Sequence, residues 1–203
     1  MNRSSSTEQS PQGFQPRFRV SPVCAAFLLL LHLAIPTAIA QQARPNESEL
    51  EAADLVNFGK FVREPVAQPF RTSFDICLLG HDSMGHALDE RAANQAVGNL
   101  PVHVRRLLDI TAAKGCAIVF MNANEGAKIR EDLAILASSD SLTVSDASDF
   151  LERGGMIQFL LVKNHLRFAV NLIAVNRAHL TLSSELLRVA FSVTGKPLKG
   201  DLP

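Results

Sequence analysis

The 203-residue chain contains no tryptophan and no tyrosine, and its aromatic side chains are 12 phenylalanines. Nucleic-acid surfaces need phosphate-neutralising charge and are commonly furnished with aromatic rings on which bases stack. Excess charge is missing too: 20 basic residues balance 20 acidic ones, with no basic stripe. Nucleic acid is therefore not an expected partner. The lack of tryptophan and tyrosine, rings that combine an apolar face with a polar handle, also weakens any sugar-binding reading.

Catalytic motifs are also missing. Gly80 and Gly85 in "LLGHDSMGHALDE" (residues 78–90) have the glycine spacing of a phosphate loop. Such a loop needs lysine and then a hydroxyl after its second glycine; here stand His86 and Ala87, and Asp82 would repel phosphate. His81 and His86 are five positions apart, whereas two metal ligands on one helical face are four apart, so a metal-dependent hydrolase is disfavoured. The glycines suit a sharp strand-to-helix turn, with Asp82 or Ser83 as the expected helix N-cap. No nucleophile elbow surrounds a serine, and Cys77 and Cys116 lie in apolar runs that disfavour a reactive thiolate. Asp146 and Asp149 could form a carboxylate pair, but Asp146 or Ser145 is better read as the cap of a short helix, "ASDFLERG". No enzyme activity, metal or cofactor is expected. Arg153 remains a candidate anion or ligand contact, set against a solvated cation at a helix end.

Residues 1–40 begin with Arg3, Arg17 and Arg19, continue through the uncharged "CAAFLLLLHLAIP", and end in Ala38-Ile39-Ala40. This is the pattern of a cleavable export signal, and its apolar run is shorter than the ~20 residues of a spanning helix. The expected layout is a signal peptide over 1–40, a linker over 41–46, one domain over 47–195 and a disordered tail over 196–203. Without residues 1–40 the chain carries 17 basic and 19 acidic residues. Two cysteines remain, Cys77 and Cys116. In an oxidising compartment an even count suggests a bridge, the alternative being two reduced, buried thiols.

Asn46-Glu47-Ser48 opens a helix in which Leu55, Phe58, Phe61 and Val62 recur at helical spacing, up to Pro65. Strands are expected at "FDICLLG", "LPVHVRRL", "CAIVFMN" and "LTVSD", and helices at "HALDERAAN" and "ANEGAKIREDLAILAS". Strands alternating with helices indicate an α/β domain with a largely parallel sheet. "GGMIQFLLVKNHLRFAVN" is expected to form a β-hairpin with a two-residue turn at Lys163-Asn164. The turn places Leu161 opposite Leu166, Phe159 opposite Phe168 and Ile157 opposite Val170, all on one face. On the other face Leu160, Val162 and Arg167 are candidates for a partner-binding surface, the alternative being that a further helix covers them. A last helix is capped near Ser183, with Leu186, Leu187, Ala190 and Phe191 turned inward.

The ordered series "NFGKFV", "CLLG", "LTVSD", "GGMI.F", "RF..NL", "RA.L" and "SS.LLR.A" resembles the YfiR/HmsC-like family, exported repressors of inner-membrane diguanylate cyclases. The similarity runs from about Leu50 to Val193. It implies a Rossmann-like α/β sandwich, mostly parallel, ending in an antiparallel hairpin, that tends to form a homodimer. It further implies a non-catalytic periplasmic protein that binds the sensor domain of a cyclase and lowers cyclic di-GMP and biofilm formation. In some family systems an outer-membrane lipoprotein sequesters the repressor. Cys77 and Cys116 fall where the family often has a bridged pair. A second bridge that some members carry near "GGMI" has no cysteines here. The competing expectation is a small-ligand sensor or solute-binding module using the cleft at the strand C-termini.

Overall fold

The computed structural model describes residues 46–63 and 71–195. The expected signal segment, nearly all of the linker, the helix stop at Pro65 and the tail lie outside the described residues. The elements are α1 (Glu47–Phe61), β1 (Val62–Arg63), β2 (Phe74–Leu79), α2 (His86–Ala92), β3 (Ala96–Val97), β4 (Leu100–Leu107), β5 (Ile118–Met121), α3 (Ile129–Leu136), β6 (Leu142–Ser145), β7 (Ile157–Val162), β8 (His165–Asn171), α4 (Leu172–Arg177), β9 (Thr181–Leu182), α5 (Ser184–Val189) and β10 (Ser192–Thr194). Short 3₁₀ turns occupy Ile110–Ala113 and Ala123–Glu125.

Eight strands form one sheet in the order β10-β8-β7-β6-β5-β2-β4-β3, and β1 pairs separately with β9. Neighbours run parallel except β7–β8 and β3–β4. This is the expected Rossmann-like α/β sandwich with its hairpin. The central strands separate two apolar cores because side chains alternate across a sheet. Phe74, Ile76, Leu78, Ile118 and Phe120 enter one core with Leu55, Val56 and Phe58 of α1. Cys77, Leu79, Val119 and Met121 enter the other with Ile129, Leu133 and Leu136 of α3. Helix α1 begins where expected: the Asn46 side chain accepts from the Glu49 amide at 2.8 Å, and Glu47 and Glu49 complement the helix dipole.

Cys77 and Cys116 are joined in a disulfide, with Cα atoms 5.9 Å apart. The bond lies in the second core, tying the middle of β2 to Cys116, two residues ahead of β5. Arg105 braces the loop that leads to it, donating to the carbonyls of Ala112 and Lys114 and pairing with Asp75 at 3.3 Å.

The hairpin register is the one expected, with Leu161 opposite Leu166, Phe159 opposite Phe168 and Ile157 opposite Val170. Lys163 and Asn164 both take positive φ, as a two-residue hairpin turn with left-handed central residues requires. Two other expectations need correction. "ASDFLERG" is a run of turns and not a helix, although the Ser145 hydroxyl does accept from Ala147 at its start. The cause is Gln158 on β7. Its side-chain oxygen accepts from the Leu151 amide at 3.3 Å and its amide donates to the Ser148 carbonyl at 2.9 Å. Both are groups that a helix would pair within itself. Helix α5 stops at Val189 and the chain becomes strand β10, so Phe191 points outward, 56% exposed, and not into the core. Leu161 is likewise 57% exposed. Phe58 packs on Phe159 and Phe168 at centroid distances of 5.8 and 5.1 Å, and the hairpin runs on past this contact.

The disulfide closes a 39-residue separation, for which chain entropy gives roughly 4 kcal/mol. Reduction, or paired Cys77→Ala and Cys116→Ala substitution, is expected to lower unfolding free energy by about 2–4 kcal/mol in urea titration. An unchanged midpoint would show that the bond adds no stability.

Candidate interaction sites

The β2–α2 connection is a structural turn. Gly80 has φ +79°, a backbone conformation that strains any other side chain, and the Glu125 carboxyl lies close against it. Asp82 Oδ1 accepts from the amides of Met84 and Gly85 at 3.0 and 2.8 Å. Helix α2 starts later, at His86 with Gly85 before it, so Asp82 closes the preceding turn and is not itself the N-cap. Arg106 on β4 holds the turn in place: it contacts Asp82 and Asp89 at 2.7 Å each and donates to the Gly85 carbonyl at 3.0 Å. Burial opposes ionisation of Asp82, but Arg106 and the two amides outweigh it and keep its carboxyl below the usual range. His81 and His86 are exposed, and no three His, Cys, Asp or Glu side chains among the described residues converge on a metal position.

The candidate partner surface lies at the end of the hairpin. Leu160 and Val162 are half-buried and Arg167 is exposed. The turns at 148–154 cover the start of this face, where Gln158 is buried, but do not hide those three. The opposite face adds further apolar side chains. Leu161 is exposed, Leu166 half-buried, and Phe191, whose amide donates to the Phe168 carbonyl at 2.8 Å, stands just ahead of the neighbouring strand β10. The end of the hairpin therefore shows apolar side chains on both faces, with Arg167 among them.

Arg153 pairs with Asp149 at 2.6 Å and donates to the Gly126 carbonyl. It lines a cleft of about 260 Å³ together with Arg130 and Arg177. Sequence reasoning named Arg153 alone, because the other two arrive on α3 and α4, 23 and 24 positions away.

The C-terminal ends of the strands carry a different, acidic character. Asp146, just past β6, accepts from the Ala123 amide at 2.6 Å, joining the ends of β6 and β5. It contributes, after burial, to raising the carboxyl of nearby Glu51 on α1, with further contributions from Glu47 and Asp54. Glu51 is 4% exposed, and its pKa rises from 4.5 to about 8. Folded Glu51 thus keeps its proton where the unfolded chain has released it. The stability it supplies is full below pH 4.5 and is lost as pH climbs towards 8. Glu51→Gln is expected to stabilise the protein by about 2 kcal/mol at pH 8.5, with little effect at pH 4.5. Thermal melts at the two pH values check this, and equal shifts at both would contradict it.

These features define a Rossmann-like α/β domain, cross-linked between its central strands, with an apolar hairpin end and an arginine-lined cleft. The chain belongs to the YfiR/HmsC-like family, whose model matches residues 48–191. No curated protein matches it. Among solved structures it is similar to a conserved domain protein from Vibrio cholerae O1 biovar El Tor, with 11% identity and a TM-score of 0.52 over 72% of this chain. It is also similar to an ABC domain from Streptococcus pneumoniae in complex with L-Trp, with 12% identity and a TM-score of 0.52 over 70% of this chain. The chain spans 60% of the length of each of these structures. At such identities the likeness concerns the fold alone.

Proposed function

We propose that this protein is exported to the periplasm, with residues 1–40 removed, and represses an inner-membrane diguanylate cyclase by binding its periplasmic sensor domain. Membership of the YfiR/HmsC-like family across nearly the whole domain carries this reading. The hairpin end supports it physically. Monomeric soluble proteins seldom leave apolar side chains in water together without an interaction to serve; Leu161 and Phe191 stand exposed on one face of the hairpin, and half-buried Leu160 and Val162 flank Arg167 on the other. No helix among the described residues is long and apolar enough to cross a membrane. In this reading the protein forms a homodimer, and an outer-membrane lipoprotein that sequesters it would relieve the repression.

The test pairs the mature protein with the purified periplasmic domain of a cyclase encoded beside it. Leu161→Asp and Phe191→Asp each place a charge at an exposed position, so folding is expected to survive while affinity falls at least about tenfold. Calorimetric titration reads the affinity and circular dichroism the fold. Wild-type affinity in both variants, and in Arg167→Glu, would remove the hairpin end from the interface.

A further inference from the structure

We propose that the cleft between α3, β6 and α4 binds a small organic anion. Its carboxylate would sit among Arg130, Arg153 and Arg177, and its short apolar body would rest against Leu133 and Met156. This inference rests on the geometry of the cleft and is independent of the cyclase reading.

The arginines come from different places in the chain: the first turn of α3, the turns before β7, and the last residue of α4. Only the fold brings them to one opening, and no acidic side chain lines it. Asp149 lies outside the lining and is already engaged by Arg153, which holds that carboxyl below its usual range. Arg153 is therefore fixed in orientation by two acceptors, Asp149 and the Gly126 carbonyl. Arg130 and Arg177 make no ion pair or side-chain hydrogen bond among the described residues. Arg177 gains from its place at a helix C-terminus, but Arg130 in a first turn gains nothing from the backbone dipole. Three cations that share Asp149 as their one nearby counter-charge still repel one another, and an oxyanion relieves that repulsion through charge-assisted hydrogen bonds.

The rest of the lining indicates the ligand class. Leu133, Ala134, Met156 and Ala174 give the cleft an apolar wall, which inorganic ions cannot use. The volume of about 260 Å³ corresponds to roughly nine waters' share of liquid, the scale of a single-ring acid. A cationic group on the same body would be rejected by the arginines. The acidic ends of β5 and β6, near Glu51 and Asp146, offer an anion no comparable place.

The test is calorimetric titration of the mature protein with benzoate, and with benzylamine as the same ring carrying the opposite charge. Benzoate is expected to bind one-to-one. Arg130→Gln and Arg177→Gln should each weaken it by about ten- to a hundredfold, the worth of a charge-assisted hydrogen bond. Neither arginine supports the fold through a hydrogen bond, so both variants should melt as the parent does. Benzylamine should not bind. The proposal is overturned by absence of saturable benzoate binding up to about 10 mM, by equal binding of benzylamine, or by benzoate affinity unchanged in both variants. Cyclase binding by the hairpin end is unaffected by any of these outcomes.

Discussion

Strands β2 and β5 are buried on both faces, and the rest of the molecule is arranged to cover them. Cys77 and Val119 are fully buried on one side of the sheet and Ile76 and Ile118 on the other, so neither layer of covering elements can be omitted. The disulfide stands at this centre, joining β2 to the entry of β5 within the second core. Arg105 and Arg106, adjacent on β4, extend the order outward in two directions. One secures the loop leading to the bond, and the other holds the turn between β2 and α2. With the centre fixed in this way, the two features that face solvent, the hairpin end and the arginine cleft, are held on a rigid frame.

Those two features differ in chemistry and suit different partners. The hairpin end offers exposed apolar side chains, which suit another protein. The cleft is concave, positively charged and small, which suits a ligand. The company Arg153 keeps at the cleft, Arg130 and Arg177, supports the proposed ligand contact.

How much of this could be read from the sequence depended on how local the cause was. The hairpin was fully readable because its alternation and its turn residues, Lys163 and Asn164, specify the same register. The apolar runs of β2 and β5 announced buried strands without any tertiary knowledge. Strands of two or three residues, such as β1, β9 and β10, carry no periodicity of their own and exist only through their partners. Helix α4 went unnoticed because the apolar hairpin pattern runs directly into it at Asn171, whose side chain caps it. The segment after β6 was mistaken for a helix because the group that breaks it, Gln158, lies on the next strand. Phe191 was expected inside because helical periodicity gives the facing of a side chain but not where the helix ends. The arginine cleft joins three elements, a convergence that no spacing rule can reveal.

The central claim is that this protein acts through its exterior on a membrane signalling enzyme. The most direct measurement is cellular cyclic di-GMP in a strain lacking the gene, compared with the same strain carrying it again. Restraint of a cyclase predicts that cyclic di-GMP and surface adhesion rise on deletion and return to the starting level on restoration. Levels unchanged by either step would contradict the account.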